Sequence, residues 1–301
     1  AGGHPSSTHY GFTWVAFMAQ FSASAAYNIT YAPYVSDYSR YLPVDTKPRS
    51  VIMSVFFGAA GAAFWLIVLG AWLATRLGAT DGLAGLQLAG NNVINHLGGI
   101  VAFLSALALA ATMGMNAYGG ALSVLTAVDS FRPLKPTRTA RVVTILALTV
   151  LWYVIGESIT SNAVNTVFTA LTLMLYLLVP WTATNLVDYF FVRRGHYAIT
   201  ELFRPDGIYG AWAWRGLTAY FVGLACEVPF MVLPKLGNWS FTGFAAKQLD
   251  GVDIAWLVGL AVTSVVYLLL ARSLDLGAER RVEKISDERL AEIDEEAAAG
   301  P

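Results

Sequence analysis

A few side chains that form specific hydrogen bonds interrupt long apolar stretches of this sequence. Gln20, Tyr27 and Asn28 lie in the stretch from 11 to 36, and Asn116 lies in the middle of a later stretch. A carboxamide offers both a donor and an acceptor, and an aromatic ring offers a flat face for stacking. An unsatisfied polar group is costly in an apolar environment, so these side chains are expected to face protein or a water-filled cavity.

The segment that contains Tyr27 and Asn28 also contains Pro33, which lacks a backbone N–H and predicts a break in the helix. A hydrophobic span that is broken near its middle, with small and hydrogen-bonding residues at the break, is the best indication of a binding site within a membrane. The alternative interpretation is that Tyr27 and Asn28 satisfy the broken backbone or a neighbouring helix.

A second pattern consists of small residues on a later stretch. Ala108, Ala111 and Thr112 are spaced i, i+3 and i+4, so they share one face of a helix. Two backbone carbonyls from a loosened turn and the threonine hydroxyl would supply oxygen atoms, which hard cations prefer. The pattern therefore predicts a partial sodium site, although ordinary packing of small residues explains the same spacing. For Asn116, the corresponding alternative is a hydrogen bond that only holds two helices together.

The composition shows what kind of molecule positions these side chains. Of the 301 residues, 56% are hydrophobic and 13% are charged, and the mean hydropathy is +0.56, which is unusual for a soluble domain. The net charge of -1 and the lack of a basic patch argue against a nucleic-acid partner. A single cysteine, Cys226, excludes an intramolecular disulfide and a cysteine-based metal cluster. No phosphate loop, zinc helix or nucleophile elbow occurs, so the sequence does not indicate an enzyme.

Seven stretches are long enough to cross a bilayer, which needs about 20 mostly apolar residues. They are predicted near 11–36, 50–75, 99–128, 139–158, 163–191, 215–234 and 252–272. The connection 79–98 is expected to hold a short external helix, and the charged tail from 278 to 300 is expected to form an amphipathic helix near the membrane. The pattern predicts an all-α integral membrane protein.

Lysine and arginine residues are distributed unequally between the two sides of the membrane. Of the 19, all except Arg76, Lys235 and Lys247 fall in the connections after the first, third and fifth spans and in the tail. Because positively charged connections stay in the cytoplasm, the amino end is predicted to lie outside the cell and the carboxyl end inside, with the plasma membrane as the location.

Two segments of the sequence carry a resemblance to a known family. Residues 31–43 read YAPYVSDYSRYLP and resemble the sixth span and following loop of the nucleobase–cation symporter-1 family of cytosine, purine, uracil, allantoin, hydantoin and thiamine permeases. Residues 180–190 read PWTATNLVDYF and, with RRGHY at 193–197 and DGIYG at 206–210, resemble the tenth span and the loop after it. The spacing of the spans between these segments also fits, so the resemblance covers nearly the whole chain.

The resemblance implies a LeuT-type fold, in which spans one to five and six to ten form an inverted repeat around the substrate. The chain would comprise family spans six to twelve, that is, the second repeat and the last two spans. Seven spans with an external start and a cytoplasmic end agree with the charge distribution, which is independent of the motifs. In this scheme residues 1–10 form an external lead, 11–272 the transmembrane domain and 273–301 a cytoplasmic tail.

The resemblance also implies a function and a substrate site. The family members are secondary active transporters, so the chain is expected to serve in the import of a nucleobase or related heterocycle, cytosine or a purine foremost, by alternating access. A base needs an aromatic face and matching amides, and the resemblance assigns these roles to Tyr27, Asn28 and Asn116, with Gln20 as a further contact. The expected partners are therefore a small heterocycle and the lipid bilayer, and the sequence indicates no particular oligomeric state.

Coupling to a cation is the remaining implication of the family. The coupling ion is expected to be Na+ or H+, and no other cofactor is expected. The trio Ala108, Ala111 and Thr112 matches the sodium ligands of the family's eighth span, but Ala111 stands where a hydroxyl is expected. This departure removes one side-chain ligand and leaves the choice between sodium and protons open.

Two further expectations concern activity. Without the first repeat, which supplies half of the pocket, the chain is not expected to transport by itself, and a non-transporting remnant or receptor of the same fold is the alternative. Glu227 lies within the predicted span 215–234, and an acid inside a membrane span is a candidate for proton coupling. Because the family's eleventh span lies outside the core transport site, we interpret Glu227 instead as a water-exposed or paired acid near a kink.

Overall fold

The computed structural model describes residues 12–39, 42–43, 45–79, 81–131, 137–158, 163–204, 206–236 and 239–299. The predicted external lead, residues 1–10, lies outside the described residues. The chain divides into two compact units. The terminal unit comprises Ala1–Ala32 and Ala163–Pro301, and the central unit comprises Pro33–Asn162. Most described residues of both units are helical, which confirms the predicted class.

The central unit contains three long helices and a short one. They are α2, Pro48–Leu77; α3, Gly82–Val93; α4, Leu97–Phe131; and α5, Arg138–Ser158. Helix α2 ends at Gly78, whose φ of 63° is the left-handed conformation that glycine adopts without steric cost. Helix α3 begins where the Asp81 carboxylate accepts a hydrogen bond of 2.8 Å from the Ala84 N–H. It is the short helix that the sequence predicted in the connection 79–98.

Small residues allow α3 to fold back onto the start of α4. The backbones of Gly90 and Gly98 lie so close together that a side chain at either position would overlap the neighbouring segment. The Asn91 side chain accepts a hydrogen bond of 3.0 Å from the Gly98 N–H. The glycines and asparagines of the connection therefore form a tight helix–helix corner.

The terminal unit contains the other helices and a two-stranded sheet. They are α1, Trp14–Ser39; α6, Ala163–Val187; α7, Trp214–Glu227; β1, Val232–Leu236; β2, Trp239–Thr242; α8, Phe244–Gln248; α9, Ala255–Ala271; and α10, Leu276–Ala299. A π-helical turn, Asp188–Val192, continues α6, and 3-10 turns cover Ile199–Phe203 and Val228–Phe230. The chain passes from the terminal to the central unit within α1, at Pro33.

Helix α6 forms the centre of the terminal unit. Its residues Leu175 and Val179 are buried against Ala26 of α1. The next residue, Tyr176, lies on a different side of α6 and packs against Met231 and against β1. Near its end, α6 joins α7 and α9 in a third buried cluster. A helix that is buried on several sides needs apolar residues around most of its circumference, as α6 has.

Helix α1 is continuous from Trp14 to Ser39, with Pro33 inside it. The predicted break at Tyr27 and Asn28 is therefore wrong. Proline removes one i to i−4 hydrogen bond, but helices in membranes tolerate this loss where neighbouring groups compensate. In α1 the Asn28 amide donates to the Ser24 carbonyl at 2.8 Å and the Thr30 hydroxyl donates to the Tyr27 carbonyl at 2.9 Å, so each of these side chains forms a hydrogen bond within the helix itself.

The region 215–234 also differs from the single helix that the sequence predicted. Helix α7 ends at Glu227, a 3-10 turn follows, and β1 pairs antiparallel with β2, with Val232 opposite Thr242. Pro229 lies in the first turn of the 3-10 segment, and its missing N–H prevents the α-helical hydrogen-bond pattern from continuing. The apolar composition of this region predicted a span but did not reveal the hairpin.

Four described helical segments are long and apolar enough to cross a membrane. They are Pro48–Leu77, Leu97–Phe131, Arg138–Glu157 and Thr166–Val192. These segments agree with the predicted spans 50–75, 99–128, 139–158 and 163–191. In the first three, few residues are buried, and a helix that exposes apolar side chains all round is typical of lipid contact. The structure thus supports an integral membrane protein.

The other three predicted spans correspond to α1, α7 and α9, none of which meets this criterion alone. Helix α9 meets it only together with α10, from which it is separated by a bend of 87°. Helix α7 has 14 residues and is about 21 Å long, less than the roughly 30 Å of a hydrocarbon core. The count of seven spans and the LeuT-type arrangement therefore stay predictions.

Helix α10 confirms that the charged tail is helical. Its Ser286 hydroxyl accepts a hydrogen bond of 3.0 Å from the Thr200 N–H, and its Glu283 carboxylate lies 2.9 Å from the ring of His196. These contacts join the tail to the segment after α6, so α10 is a packed part of the terminal unit.

Candidate functional site

The predicted substrate residues of α1 lie on its exposed side. Ser22, Ala26 and Ile29 face α6 and α9, with the Ser22 hydroxyl 3.4 Å from the Asp253 carbonyl. Gln20 and Tyr27, two helical turns apart, lie on the opposite face, where Tyr27 is 49% exposed. The structure therefore places these two predicted residues on one stripe of the helix.

Asn28 lies beside this stripe and is also exposed. One N–H of its amide is used in the bond to the Ser24 carbonyl. The amide oxygen and the second N–H have no hydrogen-bond partner among the described residues. A carboxamide in this state still offers a donor and an acceptor to a solute.

The predicted cation residues lie on a regular part of α4. Ala108, Ala111 and Thr112 are exposed, and the Thr112 hydroxyl donates to the Ala108 carbonyl at 3.0 Å. Helix α4 runs without interruption through the trio, so the loosened turn that the sequence predicted is not seen. Because the hydroxyl donates into its own helix, its oxygen lone pairs remain free to accept or to coordinate. The assignment of these residues to a sodium site stays a prediction.

Asn116 lies in a cavity between α4 and α5. The cavity has a volume of about 320 Å³ and is lined by Met113, Asn116, Gly120 and Trp152. Gly120 permits the close approach of α5, because a side chain there would press on Leu148 and lie beside the Trp152 ring. An amide, a glycine and a large aromatic ring thus share one space in the central unit.

Trp152 is the residue of this cavity that sequence reasoning missed. Its place near the middle of the predicted span 139–158, rather than at the interface where tryptophan is enriched, is the signal that could have identified it. Tryptophan provides the largest aromatic face for stacking and one N–H donor. The cavity therefore combines the edge-matching and stacking groups that a flat heterocycle requires.

The second family-like motif forms a compact network at the end of α6. The Asp188 carboxylate accepts hydrogen bonds from the Arg193 guanidinium, from Tyr197 at 2.8 Å and from Tyr267 at 2.7 Å. On its other side Arg193 forms a bidentate pair with Glu279 of α10, at 2.8 and 3.0 Å. All three charged side chains of this network are mostly buried.

The electrostatics of the network agree with this geometry. Burial alone would lower the pKa of Arg193, but the hydrogen bond to Glu279 and the charge of Asp188 raise it above its ordinary value. Burial and the hydrogen bond to Asp188 raise the pKa of Tyr197. The rings of Tyr197 and Tyr209 lie 5.7 and 5.3 Å from the guanidinium carbon. Arg193 is thus held permanently charged, and the motif residues connect α6, the loop after it and α10.

A larger cavity of about 520 Å³ lies beside the network. It is lined by residues of all three motif segments, among them Asn185, Asp188, Arg193 and Tyr209. Because the Arg193 guanidinium is already fully engaged by two carboxylates, this group of three charges serves the protein's own structure. In the sequence Asp188 is one residue of the family-like motif 180–190, and the structure adds the arginine and tyrosines that stabilise it.

The sequence-based interpretation of Glu227 as a water-exposed or paired acid is wrong. The side chain is 0% exposed, and neither carboxyl oxygen has a hydrogen-bond partner among the described residues. It packs against Gly259 of α9, a residue distant in sequence that no local pattern connects to it. Elsewhere in the described part of the chain, no three His, Cys, Asp or Glu side chains are arranged to hold a metal ion.

Comparison with known proteins identifies the family. Residues 1–259 match the family described as "Permease for cytosine/purines, uracil, thiamine, allantoin". The chain is 35% identical over 260 residues to "Putative purine-cytosine permease YxlA" of Bacillus subtilis (strain 168), an alignment that covers 85% of this chain and 54% of that protein. The chain thus spans about half the length of this curated relative. No solved structure matches. The chain belongs to the family of permeases for cytosine, purines, uracil, thiamine and allantoin.

Proposed function

We propose that this chain forms the carboxyl-terminal part of a secondary active transporter that imports a nucleobase or related heterocycle, cytosine or a purine foremost. The observation that carries the proposal is the cavity of Asn116 and Trp152, in a chain that belongs to a permease family. The matched relative is described as a purine-cytosine permease, and this description supports the choice of substrate class.

The chemistry of the cavity explains how a base would be recognised. The Asn116 carboxamide donates to a ring acceptor and accepts from an exocyclic amine or ring N–H on the same edge. The Trp152 ring stacks on the flat face, an interaction that contributes about 1–3 kcal/mol per base in comparable sites. Recognition would be neutral, since none of the described residues that line this cavity is charged.

The transport cycle is part of the same proposal. In a LeuT-type inverted repeat, one group of helices rocks against the other and exposes the substrate to each side in turn. A cation that binds more tightly to one state shifts the population toward it and so couples its gradient to the movement of the base. If the cation is Na+, it would bind at the helix face formed by Ala108, Ala111 and Thr112. If the cation is H+, a carboxyl group would bind it.

The test is uptake of labelled cytosine, adenine, hypoxanthine, uracil and allantoin by cells that express the full-length protein, with and without sodium. We expect uptake of at least one compound, reduced about tenfold or more by Asn116→Ala. The loss of an amide that satisfies the base costs about 1–3 kcal/mol, and 1.4 kcal/mol is a factor of ten.

Asn92→Ala, an exposed asparagine on α3, is the matched control and should leave uptake unchanged. If no compound enters although the protein reaches the membrane, the substrate class is wrong and the alternative of a non-transporting relative gains support. If uptake survives Asn116→Ala, the family is right but the binding cavity lies elsewhere.

A further inference from the structure

Helices α7 and α9 pack through a reciprocal arrangement of glycine and polar residues. The Glu227 side chain of α7 lies on Gly259 of α9, and the Thr263 side chain of α9 lies on Gly223 of α7. On each helix the glycine precedes the polar residue by four positions, about one helical turn, so the two contacts require the helices to run antiparallel. A methyl group at either glycine would overlap the polar side chain that faces it. The two helices are therefore shaped around the carboxyl group and the hydroxyl.

The two polar side chains at this contact are buried without partners. Glu227 and Thr263 are both 0% exposed, and their oxygen atoms form no hydrogen bond with any described residue. Burial of an unpaired carboxylate is far more costly than burial of a neutral carboxylic acid. The geometry therefore favours the form of Glu227 that carries a proton.

The neighbouring titratable groups strengthen this conclusion. Among the described residues they are Asp253 before α9, Tyr176 on α6 and Tyr220 on α7 itself. No described lysine, arginine or histidine pairs with Glu227, so a negative charge on it would have no compensation nearby. The charge that is present nearby, on Asp253, has the same sign.

Asp253 differs from Glu227 because its charge is solvated by the protein. Its carboxylate accepts a hydrogen bond of 2.6 Å from the Tyr176 hydroxyl and one of 3.0 Å from the Ala255 N–H. The Tyr176 hydroxyl is aligned for this by accepting the Val232 N–H at 2.9 Å. Of the two acids, Asp253 is thus the one whose anion has hydrogen-bond donors, so we assign the proton to Glu227.

We propose that Glu227 is a reversible proton-binding site that couples proton flow to transport in this protein. While α7 and α9 are closed, the carboxyl group holds its proton against Gly259. When the contact opens to water, the O–H bond breaks, the proton passes to water and a hydrated carboxylate remains. This inference rests on the proposed function as a symporter, and it assigns the coupling ion and the residue that carries it.

The transport test uses the purified full-length protein in liposomes, with a base that the uptake panel has identified. With one proton per base, a gradient of one pH unit, acid outside, supports about a tenfold accumulation. Glu227→Gln, a neutral isostere, is expected to abolish this accumulation while exchange of labelled for unlabelled base persists. Glu157→Gln, which changes an exposed acid at the end of α5, is the matched control and should accumulate base like the unchanged protein.

Accumulation by Glu227→Gln equal to that of the unchanged protein would overturn the proposal. A requirement for sodium without any response to the pH gradient would overturn it as well, since the coupling ion would then be Na+. Exchange is measured in the same vesicles, so a variant that merely fails to fold is recognised by the loss of both activities.

A second measurement decides the proton site without transport. Infrared spectra of the full-length protein should show the carbonyl stretch of a buried protonated carboxyl group at neutral pH, and Glu227→Gln should lack this band. If the unchanged protein transports no base, the proposed function fails, and the band alone then shows whether Glu227 holds a proton. Absence of the band in the unchanged protein would contradict the inference in either case.

Discussion

At the scale of single residues, the destination of each hydrogen bond separates two kinds of polar side chain. Thr172 and Thr184 donate to a carbonyl four residues earlier in their own helix. Such residues satisfy themselves and require nothing from a neighbour. The Asn116 and Glu227 side chains form no such internal bond. A polar group inside an apolar helix that is not satisfied locally is a candidate for a functional site, which is why both proposals depend on these residues.

The Arg193 network gives a prediction at the same scale. Arg193→Gln removes the cation and leaves Asp188 and Glu279 buried without their partner, which typically costs about 3–5 kcal/mol. We expect the melting temperature of the detergent-solubilised full-length protein to fall by more than about 5 °C. Arg194→Gln alters the adjacent, exposed arginine and should change the melting temperature little. Equal effects of the two substitutions would show that the network is not what stabilises this end of α6.

At the scale of elements, the contact of α7 with α9 depends on two glycines. Gly259→Ala introduces a methyl group that overlaps the Glu227 carboxyl group, and such overpacking costs about 1–3 kcal/mol. Gly61→Ala on α2 is the control, because nothing lies within contact distance of the added methyl group and alanine favours a helix. Thermal unfolding in detergent should show a loss of stability for Gly259→Ala and no loss for Gly61→Ala.

A double-mutant cycle shows whether the carboxyl group is the cause. Glu227→Ala removes the atoms that the new methyl group would meet, so the double variant should be more stable than the sum of the two single effects implies. Strict additivity would mean that the methyl group at residue 259 disturbs the helix in another way, and the reciprocal packing would then lose its significance.

The elements show which part of the fold is readable from sequence. The helices α2, α4 and α5 agree with their predicted spans within a few residues, because each is apolar over a length sufficient to cross a membrane. Pro33 predicted a break that α1 does not have. Whether a proline breaks a helix depends on whether neighbouring groups compensate for the lost hydrogen bond. The hairpin after α7 was missed, because its first strand lies in an apolar stretch that resembles a membrane span. The strand becomes evident only from its pairing with β2.

The same limit applies to the site residues. Asn116 was predicted because an amide is unusual in an apolar helix, and the spacing of Ala108, Ala111 and Thr112 predicts that they share one face. Trp152 and the environment of Glu227 were not identified, because they depend on which helices pack together. A carboxyl group next to Pro229 has an ordinary local sequence, and only Gly259, far along the chain, makes it a buried acid.

At the scale of the whole molecule, membership of the permease family accounts for the composition and the long apolar helices together. The chain covers about half the length of its curated relative. The unequal distribution of lysine and arginine predicts a cytoplasmic carboxyl end. In the structure α10 is joined to the rest of the terminal unit through Arg193 and Glu279.

The central claim is that the full-length protein moves a nucleobase across a membrane. The most direct measurement is counterflow in liposomes that contain the purified full-length protein and are loaded with unlabelled base. We predict that labelled cytosine or purine enters these vesicles faster than it enters vesicles without the unlabelled base inside, and that Asn116→Ala removes the difference. If every base of the panel enters at the rate of protein-free liposomes, the protein is not a permease for these compounds and the account is wrong.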